Sequence, residues 1–452
     1  MRLTVGGTDE VMTSNGGLAV VRQAHHTEQG RSVAGALMKS LKIGKELNSI
    51  RVGNSEPDIS NQDVFRSYIG LLVMGRTNFE DINLFREDEL FRIMLDIKRI
   101  PSSETLRQRF DAASGKFDAA IRSFNVCLLK ECHLSSLSID SGKYLPVDID
   151  VSCFDNSGSK KEGVSWTYKR YDGYAPNFAY AGLEGYMVNC ELRPGKQHCQ
   201  KGTPEFIRET IRIVEEACGK KRKVLFRFDS GNDSDENIAG FKDKENFRFI
   251  IKRNHRRETP GAWLMTAKAV GDMEEPRPGK KVWTGEVFRD VDGYGMTRMV
   301  FKVVERTTDS KGQAFLFPEI EAETYWTSLP DRPETIVELY HAHGTSEQFH
   351  SELKSDMDVE RLPSGKFLTN SLVLKSAMMA FNVLRKMGCD LLSVPGDLPF
   401  RLDVGRRRIR SVMQDIVNVA GKLVKSGGRI MLKISRKCPW FDPFERLFAS
   451  YC

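Results

Sequence analysis

The chain has 452 residues, which is long enough for two or three domains with large hydrophobic cores. Its composition is globular, with 40% hydrophobic and 29% charged residues, and its net charge of +7 is a mild basic excess. The nine cysteines form no CxxC pair, and no stretch approaches the roughly 20 apolar residues of a membrane span. These features argue against a zinc module and a membrane protein, and they predict a cytoplasmic protein with reduced thiols.

The N-terminal third divides into two parts. Residues 1–60 are rich in Gly, Ser and Asn with weak periodicity, which predicts an N-terminal arm that orders only on a partner. Residues 61–135 carry apolar residues at helical spacing, and Pro101–Glu104 has the pattern of a capped helix start. The helix that follows carries the basic residue Arg107. The pattern is equally compatible with a helix-turn-helix DNA-binding region and with an ordinary helical bundle.

From Tyr144 the hydrophobic period changes to that of strands, and residues 140–255 predict the first part of a mixed α/β core. A helix is expected from Thr203 to about Cys218 because Pro204 suits a first helical turn, and a polar helix is expected near Asp235–Lys244. The predicted strands are Tyr144–Phe154, Trp166–Tyr171, one within Phe178–Leu192, Val224–Phe228 and Phe247–Ile251.

The second half begins with a change of composition. Residues 256–330 are rich in Gly, Pro, Thr, Val and Trp and predict a β-rich insertion. Residues 331–390 return to helical spacing, through Glu334–Asp356 and Asn370–Lys386, and predict the second part of the core. Residues 391–452 form a basic C-terminal region.

That basic excess is concentrated from Leu384 to Pro439, where thirteen Lys and Arg face four acidic residues. Such an excess suits a polyanion, because phosphate contacts release counterions. A solvated basic surface is the alternative.

Three acidic residues are the candidate chemistry. Asp150 and Asp229 each follow an apolar strand, and Glu347 lies in a predicted helix far downstream. Carboxylate oxygens are the ligands that Mg²⁺ and Mn²⁺ prefer, and two such ions can act on a phosphodiester. Taken singly, each residue has a structural explanation as a turn former or a first-turn helix acid. Their joint arrangement favours one two-metal site.

Glu347 has neighbours at a helical spacing. Tyr340, His343, Glu347 and Lys354 are separated by three, four and seven residues, which keeps them on one face of a helix. Lys354 and His343 are then placed to contact the phosphates of bound DNA, and Tyr340 is placed to stack or hydrogen-bond there.

Other chemical signals are weak. The chain has no GxxxxGK[ST] phosphate loop, no HExxH and no GxSxG motif. The aromatic stretch from Trp166 to Tyr180 favours packing in the sheet over stacking on bases.

These residues match a known family. The chain resembles the DDE transposases of bacterial insertion sequences, in the group marked by a Tyr-x2-Arg-x3-Glu-x6-Lys motif. That motif reads here from Tyr340 through Glu347 to Lys354 with complete spacing, and His343 stands at the arginine position. The stretches around Asp150-Val-Ser152 and Leu225–Asp229 are similar to the two aspartate motifs of the family.

The resemblance implies an RNase H-like mixed-sheet catalytic core, interrupted by a β-rich insertion and preceded by a helical N-terminal DNA-binding region. It implies cleavage at transposon inverted-repeat ends with two Mg²⁺ or Mn²⁺ ions, then strand transfer of the 3′-hydroxyl into target DNA. A homodimer or higher oligomer on double-stranded DNA, associated with the bacterial nucleoid and with no membrane, is also implied.

The catalytic and metal-binding triad carries over onto Asp150, Asp229 and Glu347, with Asp148 as the competing first acid. The residues expected to bind DNA are Tyr340, His343, Lys354, Lys252, Arg253 and Arg107. Two alternatives stay open, a non-catalytic DNA-binding protein derived from a transposase and a structure-specific nuclease on the same fold.

Overall fold

A ten-stranded mixed sheet forms the centre of the protein, and helices pack on it. The computed structural model describes residues 12–18, 46–52, 58–399, 404–426 and 429–450. The expectation of an N-terminal arm that orders on a partner falls mostly outside these residues. Of that arm, the described Met12–Thr13 forms a short strand against a C-terminal strand.

The helices within the described residues are numbered here in chain order. They are α1 (Asn61–Val73), α2 (Glu89–Met94), α3 (Ser103–Ala113), α4 (Asp118–Lys130), α5 (Thr203–Cys218), α6 (Asp235–Ala239), α7 (Pro260–Val270), α8 (Pro333–His341), α9 (Ser346–Ser351), α10 (Phe367–Ser393), α11 (Ile409–Val412) and α12 (Phe441–Ser450). Short 3₁₀ helices span Phe79–Phe85, Ser230–Asn232 and Ala342–Thr345, and π-helical turns span Glu352–Asp356 and Met413–Val417.

The strands are numbered in the same way. They are β1 (Met12–Thr13), β2 (Leu137–Ile139), β3 (Gly142–Val151), β4 (Phe154–Asp155), β5 (Ser165–Trp166), β6 (Asp172–Tyr174), β7 (Asn177–Ala181), β8 (Tyr186–Glu191), β9 (Val224–Phe228), β10 (Phe247–Lys252), β11 (Asp272–Arg277), β12 (Lys280–Val291), β13 (Gly295–Thr308), β14 (Ala314–Thr327), β15 (Gly421–Ser426) and β16 (Arg429–Ile434).

The order of the central sheet is β11-β12-β13-β14-β10-β9-β3-β7-β8, with β2 beside β3. Strand β3 runs parallel to β9, and β9 runs parallel to β10. The neighbours on either side, β7 and β14, are antiparallel. Because β3 and β9 are parallel neighbours, the residues that follow them emerge at the same edge of the sheet.

The predicted β-rich segment 256–330 contains four long strands, and it differs from the prediction in two ways. It opens with α7, in which Thr259 accepts a hydrogen bond from the Ala262 amide and Pro260 begins the helix. Its last strand, β14, pairs with β10 through Tyr325–Thr327. The segment therefore continues the core sheet at one side.

The predicted strand Trp166–Tyr171 is wrong in its extent. Only Ser165–Trp166 is a strand, and it pairs with β6 across a tight turn. Arg170 adopts a left-handed conformation with φ of 65°, which no regular strand allows. Alternating aromatic residues signalled a strand where the chain instead reverses direction.

The helices of residues 61–135 form as predicted, with Ser102 accepting a hydrogen bond from the Thr105 amide at the start of α3. They belong to the same hydrophobic core as α10. Helix α4 packs on α5, α10 and β8, so its buried face is not available to a DNA groove. DNA binding by this region stays a prediction.

Helix α10 is the hub of the helical layer. It has 27 residues, and by length and composition alone it is long and apolar enough to cross a membrane, which the sequence analysis did not predict. However, 78% of its most apolar window is buried inside the protein, as in a core helix. Asn382 fixes it to β8 by accepting from the Met187 amide and donating to the Met187 carbonyl, both at 2.8 Å.

The basic C-terminal region is partly internal, which corrects the picture of a basic surface. Arg385 is 1% exposed and donates to Glu352 at 2.5 Å, and Arg406 pairs with the same carboxylate. Arg408 donates to Asp356 at 2.8 and 3.0 Å. These arginines neutralise acids of the 352–356 turn, so fewer positive charges are left for a polyanion.

We expect Arg385→Met to lower the free energy of unfolding by about 3–5 kcal/mol, because it leaves the buried Glu352 carboxylate short of a partner. Urea unfolding measures this change. Arg436→Met, at an exposed position of the same region, is the control and should change stability by less than about 0.5 kcal/mol. A similar small loss in both variants would contradict the network's role.

Candidate active site

A cavity of about 830 Å³ opens at the sheet edge where β3 and β9 end. Asp150, Asp229 and Glu347 line it, as the sequence predicted for one site. The other predicted residues in its wall are Tyr340, His343 and Lys354. The structure thus brings together residues that are up to about 200 positions apart in the chain.

Asp150 and Asp229 are side by side. Ile149 of β3 pairs with Phe228 of β9, so the next residue of each strand is one of the two aspartates. Neighbouring strands are separated by about 4.8 Å, which sets the spacing of the two backbones. After Asp229 the chain turns at once through the 3₁₀ helix Ser230–Asn232, and the side-chain Nδ2 of Asn232 donates to Asp229 Oδ1 at 2.8 Å.

The two carboxylates differ in their electrostatic surroundings. Burial and the negative charge of Asp150 raise the pKa of Asp229 to about 6. Burial also acts against ionisation of Asp150, but the hydrogen bond and charge of His350 and the charge of His343 outweigh it and lower that pKa. Two acids held this closely repel each other when both are ionised, and a bound cation relieves that repulsion.

Glu347 approaches the cavity from the other wall. It is exposed near the start of α9, and within the described part of the chain its carboxylate forms no hydrogen bond or ion pair. The expected continuous helix Glu334–Asp356 is wrong, because a 3₁₀ turn separates α8 from α9 and a π-helical turn follows. The four residues that were predicted to share one helix face still point to one place, since Tyr340, His343, Glu347 and Lys354 all line the cavity.

The π-helical turn carries two buried acids. It places Glu352 and Asp356 on the inner side, where they are 1% and 8% exposed and meet arginines of the C-terminal segment.

Asp148 has a different environment from Asp150. It is 4% exposed and receives two hydrogen bonds from Arg227, at 2.6 and 2.8 Å. His343 Nδ1 lies 3.0 Å from Asp148 Oδ1, in an ion pair without hydrogen-bond angles. Burial would lower the pKa of His343, but the negative charge of Asp148 outweighs it and raises the pKa. Asp148 is therefore neutralised by the protein, which favours Asp150 as the first acid.

Two residues at this site were not predicted from the sequence. His350 Nε2 donates to Asp150 Oδ2 at 3.2 Å, and its Nδ1 lies 3.4 Å from the Tyr180 hydroxyl. Arg227 lies opposite Asp148 in the register of β3 and β9. Both had a signal: His350 follows Glu347 by one helical turn, and Arg227 lies two residues before Asp229 on the same face of its strand.

Lys354 has protein partners at the edge of the cavity. Its Nζ donates to the Cys153 carbonyl at 2.7 Å and pairs with Glu360 at 2.9 Å. These contacts fix Lys354 beside the chain that leaves β3. Lys354 nevertheless remains part of the cavity wall, and its contact with DNA stays a prediction.

The remaining predicted DNA-binding residues are less directly placed. Lys252 pairs with Glu323 at 3.2 Å and lies over the Tyr340 ring, and Arg253 donates to Glu258 at 2.5 and 2.8 Å. Arg107 is exposed on α3 and is not among the residues that line the cavity. Binding of DNA by these three stays a prediction.

The donor set fits a divalent cation at the two aspartates. Their oxygens are hard ligands, and their mutual repulsion raises the pKa of Asp229. Within the described residues, no three His, Cys, Asp or Glu side chains converge closely enough to enclose an ion. Glu347 therefore faces the aspartate pair across the cavity without joining it.

Comparison with known proteins supports a DDE transposase. A family model described as "Transposase DDE domain group 1" matches residues 1–451, which include both aspartates and Glu347. A solved structure described as a cryo-EM structure of a piggyBac transposase synaptic complex with hairpin DNA is similar, with 10% identity and a TM-score of 0.41 over 91% of this chain and 83% of that chain. No curated protein matches the sequence.

We expect Asp148→Asn and Asp150→Asn to differ in stability. Asp148→Asn leaves Arg227, which is 2% exposed, without its carboxylate and should destabilise the protein by about 3–5 kcal/mol. Asp150→Asn removes one of two repelling charges and should stay within about 1 kcal/mol of the unaltered protein. Urea unfolding of the two variants measures this difference. Equal losses of stability would contradict the assignment of Asp150, rather than Asp148, as the first acid of the site.

We expect Mg²⁺ or Ca²⁺ to stabilise the protein, by about 2.7 kcal/mol at a hundred times the Kd. Asp229→Asn should raise the stability of the metal-free protein at pH 7.5, where Asp229 is otherwise ionised, and should remove most of the gain from the cation. Thermal unfolding with and without chelator measures both effects.

The matched control for this experiment is Asp235→Asn, at an exposed position in α6. It should keep the full gain from the cation. A gain that persists in Asp229→Asn would mean that the cation binds elsewhere.

Proposed function

Because the chain belongs to the transposase DDE domain group 1 family, we propose that it is a DNA transposase that cuts its element at inverted-repeat ends and transfers the freed 3′-hydroxyl into target DNA. The observation that carries this proposal is the pair Asp150 and Asp229 on adjacent parallel strands, with Glu347 in the wall of the same cavity. Carboxylates placed in this way suit phosphodiester chemistry.

In this proposal Asp150 and Asp229 hold divalent cations, and Glu347 completes the set when DNA binds. When bound, two Mg²⁺ or Mn²⁺ ions supply activation of the attacking hydroxyl and charge stabilisation at the leaving oxygen. Glu347 can take up this role because it is exposed in the cavity wall and, within the described residues, its carboxylate has no protein partner.

The protein's own residues prepare this site before DNA arrives. His350 fixes the orientation of the Asp150 carboxylate through its 3.2 Å hydrogen bond. The buried ion pair of Asp148 with Arg227 joins β3 to β9 two residues before the acids, which holds the two strand ends in register. Lys354 adds a positive charge in the cavity wall for the DNA phosphate next to the scissile bond.

We interpret the core as RNase H-like. The support is the sheet arrangement, in which β7 is antiparallel to β3 whereas β8, β9 and β10 run parallel to β3. Acids also lie at the same ends of β3 and β9. The proposed partner is double-stranded DNA, and the proposed assembly is a homodimer or higher oligomer, because two transposon ends must be cut and joined together. Origin from a bacterial insertion sequence and association with the nucleoid belong to the same proposal.

Purified protein with Mg²⁺ should cleave duplex DNA that carries the short inverted repeats flanking its gene. We expect Glu347→Gln to lower the cleavage rate by about 1,000-fold or more, since it removes a ligand from the proposed site while preserving shape. Gel analysis of end-labelled DNA measures cleavage, and capture of a supercoiled plasmid measures strand transfer.

The matched control is Glu338→Gln, an exposed acid of α8 that does not line the cavity, and it should retain full activity. Unimpaired cleavage by Glu347→Gln would remove that residue from the triad. Binding without cleavage in both Mg²⁺ and Mn²⁺ would favour a non-catalytic DNA-binding protein. Cleavage without joining would favour a structure-specific nuclease.

A further inference from the structure

The hairpin formed by β5 and β6 presents two large aromatic side chains to solvent. Trp166 is 61% exposed and Tyr168 is 64% exposed, although large aromatic side chains usually bury most of their surface. The sequence reading assigned both to sheet packing. Two exposed rings that are separated by only two positions in one hairpin require another explanation.

The tip of this hairpin is held by the backbone. Thr167 is buried, and both its amide and its hydroxyl donate to the Tyr171 carbonyl, at 2.9 and 2.8 Å. The Arg170 amide donates to the Thr167 carbonyl at 3.0 Å, and Arg170 adopts a positive φ that residues other than glycine seldom take. The turn therefore fixes the backbone that carries the two rings, while the rings themselves remain exposed.

The hairpin adjoins the acidic cavity. Tyr168 and Lys169 belong to the cavity wall together with Asp150 and Asp229. The Tyr168 hydroxyl donates to the carbonyl of Val151, the residue after Asp150, at 3.2 Å. The hydroxyl end of Tyr168 is thus anchored beside the candidate site, while its ring remains largely exposed.

The charges on the tip favour a nucleic acid strand. Lys169 and Arg170 are both exposed, and within the described residues neither is paired with an acid. Aromatic rings beside free cations suit bases that stack and phosphates that pair. In a duplex the faces of each base are covered by its neighbours, so rings of this kind can stack only on an unpaired or terminal base.

We propose that Trp166 and Tyr168 form a stacking platform for unpaired bases of the DNA strand beside the scissile phosphate, with Lys169 and Arg170 on the phosphates of that strand. This inference rests on the proposed function, because it assigns the platform to DNA bound at the acidic cavity. It adds a preference for ends that are unpaired or easily opened.

The test compares two fluorescent DNA probes by anisotropy, a blunt duplex and the same duplex with a short unpaired 3′ tail. Full-length protein is used in Ca²⁺, so that cleavage does not interfere. We expect the unaltered protein to prefer the tailed probe, and Trp166→Ala to weaken tailed binding by about 10-fold. Blunt binding should change by less than about 2-fold, and Trp166→Phe should keep most of the preference.

A second pair of variants separates the ring from its anchor. Tyr168→Phe keeps the ring and should bind the tailed probe normally, whereas Tyr168→Ala should weaken it. Lys169→Ala and Arg170→Ala should weaken both probes and lower the salt dependence by about one ion each.

The matched control is Leu183→Ala. Leu183 is also exposed, at 54%, and it follows Ala181, which pairs with Val147 at the end of β7 that points away from Asp150. It should leave both affinities unchanged, and unchanged thermal unfolding of every variant should show that the fold is intact.

The outcomes are distinct. Normal DNA binding with no loss of tail preference in Trp166→Ala or Tyr168→Ala would overturn the platform and leave the proposed function standing. Equal losses of affinity for the blunt and tailed probes would also overturn it, because the substitutions would then weaken DNA binding in general and not the stacking of unpaired bases. Failure of the unaltered protein to bind either probe would overturn both proposals.

Discussion

The structure depends on how two parallel strands distribute charge along one face. Strands β3 and β9 place Asp148 opposite Arg227, and at the next position of the same face they place Asp150 beside Asp229. The opposite charges of Asp148 and Arg227 neutralise each other within the protein. The second pair consists of two acids whose charges the protein only partly compensates, and the proposed cation site at the sheet edge rests on this arrangement.

The second wall of the cavity depends on the C-terminal segment. Glu352 and Asp356 are anchored by Arg385, Arg406 and Arg408. The turn that carries these two acids also carries Lys354 of the cavity wall. Arg406 also donates to Gln348 at 2.9 Å, and Arg408 donates to Ser351 at 3.2 Å. The arginines that suggested a DNA-binding surface in the sequence therefore hold the wall that carries Glu347.

Much of the site could be predicted from the sequence, because strand-end acids and a spaced helical motif are local patterns. The bounds of α5 and the end of β9 at Asp229 also follow from local signals, a proline in the first turn and a short apolar run. Long-range pairing was less accessible. The partnership of Asp148 with Arg227 requires the register of two strands separated by about 80 residues, and no local pattern specifies that register. The turn at Thr167–Tyr171 was missed because its backbone reverses at a residue with positive φ, while its side chains alternate as in a strand.

The histidine in the arginine position of the motif is explained by the same charge pattern. His343 is 7% exposed and contacts Asp148, and the charge of that acid raises its pKa. The raised pKa favours the protonated form of His343, whose buried ring lies between Asp148 and the edge of the cavity. An arginine has five donors in a planar fork and reaches farther, so it suits a direct contact with a phosphate. If the chain acts as proposed, the contact with DNA phosphates would come from elsewhere in the cavity wall, where Lys354 and the exposed Lys169 lie.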